Sequence, residues 1–451
     1  MTEQLPASLV LQRGGPLTGT VAAPASKSHT NRALAIAALA DGESRLLGPL
    51  VADDSRRMIE GLRALGVQID DGEGAWVVAG TGGQLGGTGG GADRPASGGT
   101  DRILVDAGDS GTTMRFLTAL ATLSRAEVGI TGSESLLARP IGPLVEGLRQ
   151  LGCDVMAHEG RPPVTVRPGP PKGGRADLDA SLSSQFASAL CLVSPYADGE
   201  VELVLSGLGA AGYVEMTLEM MTRWGAQAES SGGVISILGG RHYRGQVEQI
   251  AGDASAAAHL FALAVATRGE VTVTNLARAG AQPDMGVLGV LSALGVEWRW
   301  EGDDAAVVTG PDELAPIEVD LSSMPDLLPV VAVLASLAFG RSRLTGLGVT
   351  RHHESDRVSA VATELAKLGI TTEASPDSLV VNGGGPQGMV TIDSHGDHRI
   401  AMAFAALGAR LPFIIIKDPS CVTKTYPGFW EAAHTLGLGW KETLSFKGLK
   451  F

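Results

Sequence analysis

Aromatic side chains make up only 4% of the 451 residues, while apolar residues together reach 44%. The chain is long enough for two or more domains, and their cores must be aliphatic, built from Ala, Val, Leu and Ile. Cysteine is scarcer still. Cys153, Cys191 and Cys421 are widely spaced and match neither a disulfide framework nor a metal motif. A reduced, cytoplasmic setting is the expectation. The segment MTEQLPASLV has no basic start and no apolar run, so no signal peptide is expected. The longest apolar stretch, near Leu327 to Phe339, is too short to span a bilayer and contains Pro329. It reads as a buried helix. Net positive charge is also lacking: the formal net charge is −14. Nucleic acid and acidic membranes are therefore disfavoured as partners. No GxxxxGK[ST] and no GxGxxG after a strand occur, so no nucleotide is indicated. No His/Cys/Asp/Glu cluster has metal spacing, and neither a metal nor a cofactor is expected.

What the chain does have is a repeat. A helical stretch ends in Leu-Gly or Trp-Gly, then a short strand, a turn and a second strand follow. The pattern appears as ALGVQIDDGEGAWVVAG from Ala64, and recurs from Gln150, Arg223, Ala293 and Lys367, with a partial copy, TLGLGW, from Thr435. Its glycines fall at 66, 152, 225, 295, 369 and 437, and the last four gaps are all about seventy residues. The first gap is longer because residues 82–99 are a glycine-rich insertion, expected to be a flexible surface loop. Each glycine suits a left-handed helix C-cap. Alternation such as Val234-Ile235-Ser236-Ile237 suits half-buried strands. Six units of mixed helix and sheet predict an α+β protein with three units in each half.

A second pattern sits at helix starts. Ser26-Lys27-Ser28, Ser110 to Arg115, Ser183-Ser184-Gln185, Asp253, Pro325-Asp326 and Asp397-His398-Arg399 each precede a helix that is apolar nearly all round. Ser, Thr and Asp there are ordinary N-caps. Lys27, Arg32, Arg115 and Arg399 are not, because a cation is unfavourable at the positive end of a helix. A bound phosphate or carboxylate would resolve the conflict. Ser28 and Arg32, four apart, share a helix face.

The segments PASKSHTNR, GDSGTTMR, ARPIGPL, SSQF, MPD, RHHESDR, GDHRIAM and KTYPGFW occur in this order from about residue 20 to 430. They resemble the signature segments of the 5-enolpyruvylshikimate-3-phosphate synthase family of enolpyruvyl transferases. The resemblance implies two domains, each an inside-out α/β barrel of three βαβαββ repeats, with the active site in the cleft between them. The first domain would span 23–250, the second 1–22 plus 251–451, joined by two crossover strands. The implied reaction moves the carboxyvinyl group of phosphoenolpyruvate to the 5-hydroxyl of shikimate 3-phosphate and releases phosphate. The protein would act as a cytoplasmic monomer.

By motif position, Lys27 would touch both substrates and join Asp326 and Glu354 in catalysis. Asp326 would accept the 5-hydroxyl proton; Glu354 would donate or shuttle one. Ser28, Arg32, Ser183, Ser184, Gln185, Tyr213, Asp326 and His353 would hold shikimate 3-phosphate. Gly111, Arg139, Gln185, Arg357, Arg399 and Lys424 would hold phosphoenolpyruvate. Bland readings stand beside these. Asp326 could cap its helix, Gln185 could bind backbone, Glu354, Asp356 and Arg357 could be a surface ion-pair cluster, and His398 could be structural.

The chain departs from the family pattern at Ala25 (usually Gly), Asp109 (Asn), Phe116 (Pro or Leu), Ala210 (Ser), Val349 (Asn) and His353 (Lys). Most departures fall on the shikimate side. The sister transferase acting on UDP-N-acetylglucosamine shares the fold and donor but uses a loop cysteine, and GSESLLARP from Gly132 has none. A non-catalytic sensor of phosphorylated metabolites would be expected to lose Asp326 and Glu354, which are present. A phosphate-processing nucleic-acid enzyme is disfavoured by the charge.

Overall fold

The structure, a computed structural model, describes residues 5–86, 102–207 and 211–442. Most of the glycine-rich insertion and Ala210 lie outside them. The chain divides into two compact units. The central unit comprises Ala25–Ala251 and Ala281–Pro283; the split unit comprises Met1–Pro24, Gly252–Gly280 and Asp284–Phe451.

Among the described residues, each unit has three four-stranded sheets of one design. Two parallel strands lie side by side, and an antiparallel hairpin extends the second. The clearest example is Arg102–Asp106 parallel to Glu127–Thr131, followed by antiparallel Arg161–Val166 and Val155–His158. The helix Gly111–Leu120 joins the parallel pair, and Gly142–Gln150 joins that pair to the hairpin. The order is strand, helix, strand, helix, strand, strand, the predicted repeat. One sheet of the central unit borrows its first strand from Val247–Gln249, which pairs with Glu43–Leu47.

The sixth unit was legible only in part, and its completion is informative. TLGLGW supplies a helix end and the strand Gly439–Glu442. The remaining hairpin strand is Ser8–Gln12, inserted between Gly439–Glu442 and Ile414–Lys417. Thr18–Ala22 likewise enters the split unit, parallel to Glu270–Thr274. The first two strands of the chain thus complete two sheets formed otherwise by its carboxy-terminal half.

The six repeat glycines have φ of +88°, +86°, +101°, +82°, +78° and +106°. That left-handed conformation is strained for residues with a Cβ, so the Leu-Gly signal has a backbone cause. The joining helices are buried on every side. Leu328–Leu337 and Gly111–Leu120 are buried throughout, and Ala254–Thr267 is buried from Ala254 to Ala266. This explains the lack of a polar stripe and confirms the buried helix expected near Leu327 to Phe339. Among the described residues no helix is long and apolar enough to cross a membrane.

The glycine-rich stretch needs a correction at its start. Residues 82–86 are built into the central unit rather than looping away. Leu85 is buried, its amide donates to Leu123, and the Gly86 amide donates to Leu65 O at 2.7 Å. A Cβ on Gly83 would lie 2.3 Å from the Tyr196 ring, so the close approach requires glycine.

Candidate active site

In the split unit, three helix or turn starts bring charged groups together. Arg357 is the first residue of the helix Arg357–Lys367, capped by Asp356, and is 1% exposed. Its guanidinium meets three carboxylates: Asp326 Oδ1 at 2.7 Å, Glu354 Oε2 at 2.8 Å and Asp397 Oδ2 at 2.8 Å. His353 Nδ1 lies 3.0 Å from Arg357 Nη1 and 3.6 Å from Asp326. Arg399, near the start of the helix His398–Arg410, reaches the other Asp326 oxygen at 2.7 Å. Lys424, at the end of the turn Pro419–Lys424, lies 3.4 Å from Glu354 Oε1.

These partners bear on two bland readings. Asp326 is not an N-cap: it lies within a one-turn helix, Pro325–Leu327, whose N-cap is Met324, and the N-cap of the helix that follows is Leu327. Arg357 is not on a surface. Its burial would favour loss of charge, but Asp397, Glu354 and Asp326 outweigh this and hold it firmly protonated. Burial and the adjacent Arg357 act together on His353, pushing its pKa down to about 4. The imidazole is therefore neutral at pH 7 and can accept from Arg357. Where the family has a lysine, this chain places an uncharged ring.

In the central unit, Lys27 opens the helix Lys27–Leu39 behind the N-cap Ser26 and lies 3.5 Å from Asp54. Arg32, one turn on and buried, donates to Thr217 Oγ1 at 2.7 Å, Ser28 O at 3.0 Å, Tyr213 O at 3.0 Å and Ser188 Oγ at 3.2 Å. All four acceptors are neutral, so burial dominates and lowers its pKa to about 10. Its guanidinium lies 5.5 Å from the Phe116 ring centroid and 5.8 Å from that of Tyr213. Phe116, a departure from the family pattern, thus adds a cation–π face.

Gly111 lies where two arginines converge. A Cβ there would be 3.2 Å from Arg115 Nη1 and 3.4 Å from Arg139 Nη1. Arg115 donates to Gln185 Oε1 at 2.7 Å and lies over the Phe186 ring. Ser183 caps the helix Ser184–Val193 by accepting from the Gln185 amide, and Ser184 is buried beside it. The departure Asp109 has a local use, accepting a short hydrogen bond from Ser133, the N-cap of Glu134–Leu137. Val349 is buried in the turn Gly348–His352. Nothing in the structure explains Ala25.

Each unit therefore gathers its share of the expected residues: Asp326, His353, Glu354, Arg357, Arg399 and Lys424 in one; Lys27, Ser28, Arg32, Gly111, Arg139, Ser183, Ser184, Gln185 and Tyr213 in the other. Sequence reasoning missed Asp54, Asp397 as a partner of Arg357, and Asp284. Their signal was weak because each partner is distant along the chain.

The sequence pattern described as EPSP synthase (3-phosphoshikimate 1-carboxyvinyltransferase) matches residues 11–433. The chain belongs to that family. A 3-phosphoshikimate 1-carboxyvinyltransferase of Methanoculleus marisnigri is 41% identical over 428 residues, covering 94% of this chain and 98% of that protein. One from Pseudomonas savastanoi is 37% identical, covering 94% and 96%. The EPSP synthase structure from Acinetobacter baumannii superposes with a TM-score of 0.79 at 26% identity, covering 96% of this chain and all of that one. An EPSP synthase family member is thus a transferase with the α+β repeat fold described above, and nothing found favours the sister transferase or a non-catalytic protein.

Proposed function

We propose that the protein is a 3-phosphoshikimate 1-carboxyvinyltransferase. It joins the 5-hydroxyl oxygen of shikimate 3-phosphate to C2 of phosphoenolpyruvate and expels phosphate. The observation that carries this reading is Asp326, a carboxylate whose two oxygens are each held at 2.7 Å by a different buried arginine.

Two guanidinium groups occupy both Asp326 oxygens. A substrate carboxylate or phosphate offers Arg399 and Arg357 the same charge and bidentate shape. An anion that takes over the Arg399 bond frees an Asp326 lone pair to accept a proton. Proton acceptance is thereby tied to donor binding. Asp326 takes the hydroxyl proton as the C–O bond forms. Glu354, between Arg357 and Lys424, delivers a proton to the methylene carbon. The tetrahedral adduct then breaks its C–O bond to phosphate, and loss of a methyl proton restores the double bond. Lys27, Arg357, Arg399 and Lys424 stabilise the charge that develops. Arg139 and Gly111 join the donor's grip. Ser28, Arg32, Ser183, Ser184, Gln185, Tyr213 and His353 hold the shikimate part.

The two compact units correspond in this reading to two three-repeat domains, and the enzyme works as a monomer in the cytoplasm. The expected result is phosphate release from phosphoenolpyruvate only when shikimate 3-phosphate is supplied. Turnover with UDP-N-acetylglucosamine instead would sink the assignment. Asp326→Ala should keep both ligands bound while turnover falls by about three orders of magnitude. Turnover within tenfold of the parent enzyme would mean that another group is the base.

A further inference from the structure

Asp284 lies in the split unit on the turn Pro283–Gly286 and is 1% exposed. Ser255, on the first turn of the helix Ala254–Thr267, donates a short hydrogen bond to its Oδ2. Its Oδ1 has no hydrogen-bond partner. The contrast with its neighbours is plain. Asp326, Glu354 and Asp397 each touch a guanidinium. Among the described residues, no cation lies within ion-pair distance of Asp284.

A carboxylate buried with one hydroxyl partner and no cation is costly as an anion, and the neutral acid is the cheaper form. Three charged groups reach it, each from a different element: Asp326 on the turn Pro325–Leu327, Arg399 on the helix His398–Arg410, and Asp253, the N-cap of Ala254–Thr267. The two aspartates oppose ionisation, while Arg399 and the Ser255 hydroxyl favour it. Burial dominates, followed by Asp326, and the carboxyl is pushed up to about 7.

We propose that Asp284 is a positioning residue that sets how strongly Arg399 binds an anion: as the neutral acid it leaves the field at Arg399 unchanged, and ionised it adds a second negative charge, beyond that of Asp326, to the field that guanidinium feels. The proposal rests on the reading of Arg399 as a phosphoenolpyruvate contact. Its consequence is alkaline control of donor affinity. As pH rises through the Asp284 titration, the added negative charge repels the anionic donor and offsets part of the positive potential of Arg399. The Michaelis constant for phosphoenolpyruvate climbs, with a much smaller change in that for shikimate 3-phosphate.

The test is the pH dependence of KM for each substrate in the parent enzyme, Asp284→Asn and Ser255→Ala. The parent should show KM for phosphoenolpyruvate rising about tenfold between about pH 6 and pH 8.5. In Asp284→Asn the rise should vanish. In Ser255→Ala it should move to higher pH, because the hydroxyl that stabilises the carboxylate is gone. The donor's own phosphate titration is common to all three proteins and cancels in the comparison. A parent enzyme inactive with this substrate pair overturns the functional reading, and the proposal with it. An active parent whose pH slope matches that of Asp284→Asn overturns the proposal alone. If Asp284→Asn fails to fold, carbon NMR of aspartate-labelled parent protein decides. One aspartate carboxyl should titrate near neutrality, and none doing so overturns the proposal.

Discussion

His353, proposed to hold the shikimate part, also makes stability depend on pH. Its imidazole packs between Arg357 and Asp326, and burial with the adjacent guanidinium depresses its pKa to about 4. The unfolded chain protonates this histidine near its ordinary value of 6.5, so between 6.5 and 4 the unfolded state binds more protons than the folded state. The stability that the neutral ring confers is present above 6.5 and is lost as pH falls through that window. His353→Gln keeps an uncharged acceptor and removes the titration. Measured by denaturant unfolding, the parent should lose about 2 kcal/mol more than His353→Gln between about pH 7 and pH 4.5. Equal losses would show that the ring is protonated in the fold. The sequence marked His353 as unusual but could not give this sign. Whether a histidine beside an arginine is charged depends on burial and on Asp326, which lies 27 positions earlier in the chain. The same limit hid Asp54, Asp284 and Asp397. A helix start betrays a misplaced cation locally, but the anion that balances it comes from another segment.

At the scale of elements, the repeat was readable because its punctuation is a backbone requirement. Gly369 follows the helix Arg357–Lys367 at φ +78°, and no atom lies within 4 Å of where its Cβ would be. Gly369→Ala therefore isolates the conformational cost and should destabilise by about 1 kcal/mol. Gly289, exposed inside the helix Val287–Ala293, also has open space around its Cβ but no positive φ. Gly289→Ala should stabilise by about 0.5 kcal/mol. Opposite shifts in thermal midpoint confirm that conformation rather than packing selects the repeat glycine. Shifts of one sign refute it. Packing adds to conformation elsewhere, as at Gly83, where a φ of +80° and the close approach to Tyr196 both require glycine. That contact could not be foreseen, because the stretch that contains it has the composition of a linker.

At the scale of the molecule, the two units differ in how the chain closes them. All three sheets of the central unit draw their strands from residues 43–249. The split unit needs two strands from the start of the chain. Ser8–Gln12 is the more demanding of the two, since it is an interior strand that pairs with Ile414–Lys417 on one side and Gly439–Glu442 on the other. It also brings Leu9 and Leu11, both fully buried, into the core. Its removal leaves two ladders unpaired and exposes the apolar surface that Leu9 and Leu11 cover. A fragment of residues 25–251 should therefore fold on its own, with a cooperative thermal transition followed by circular dichroism. A fragment of residues 252–451 should not, and adding a peptide of residues 1–24 should restore structure in proportion to the peptide bound. Cooperative folding of 252–451 alone would show that the first two strands are accessories rather than part of the fold.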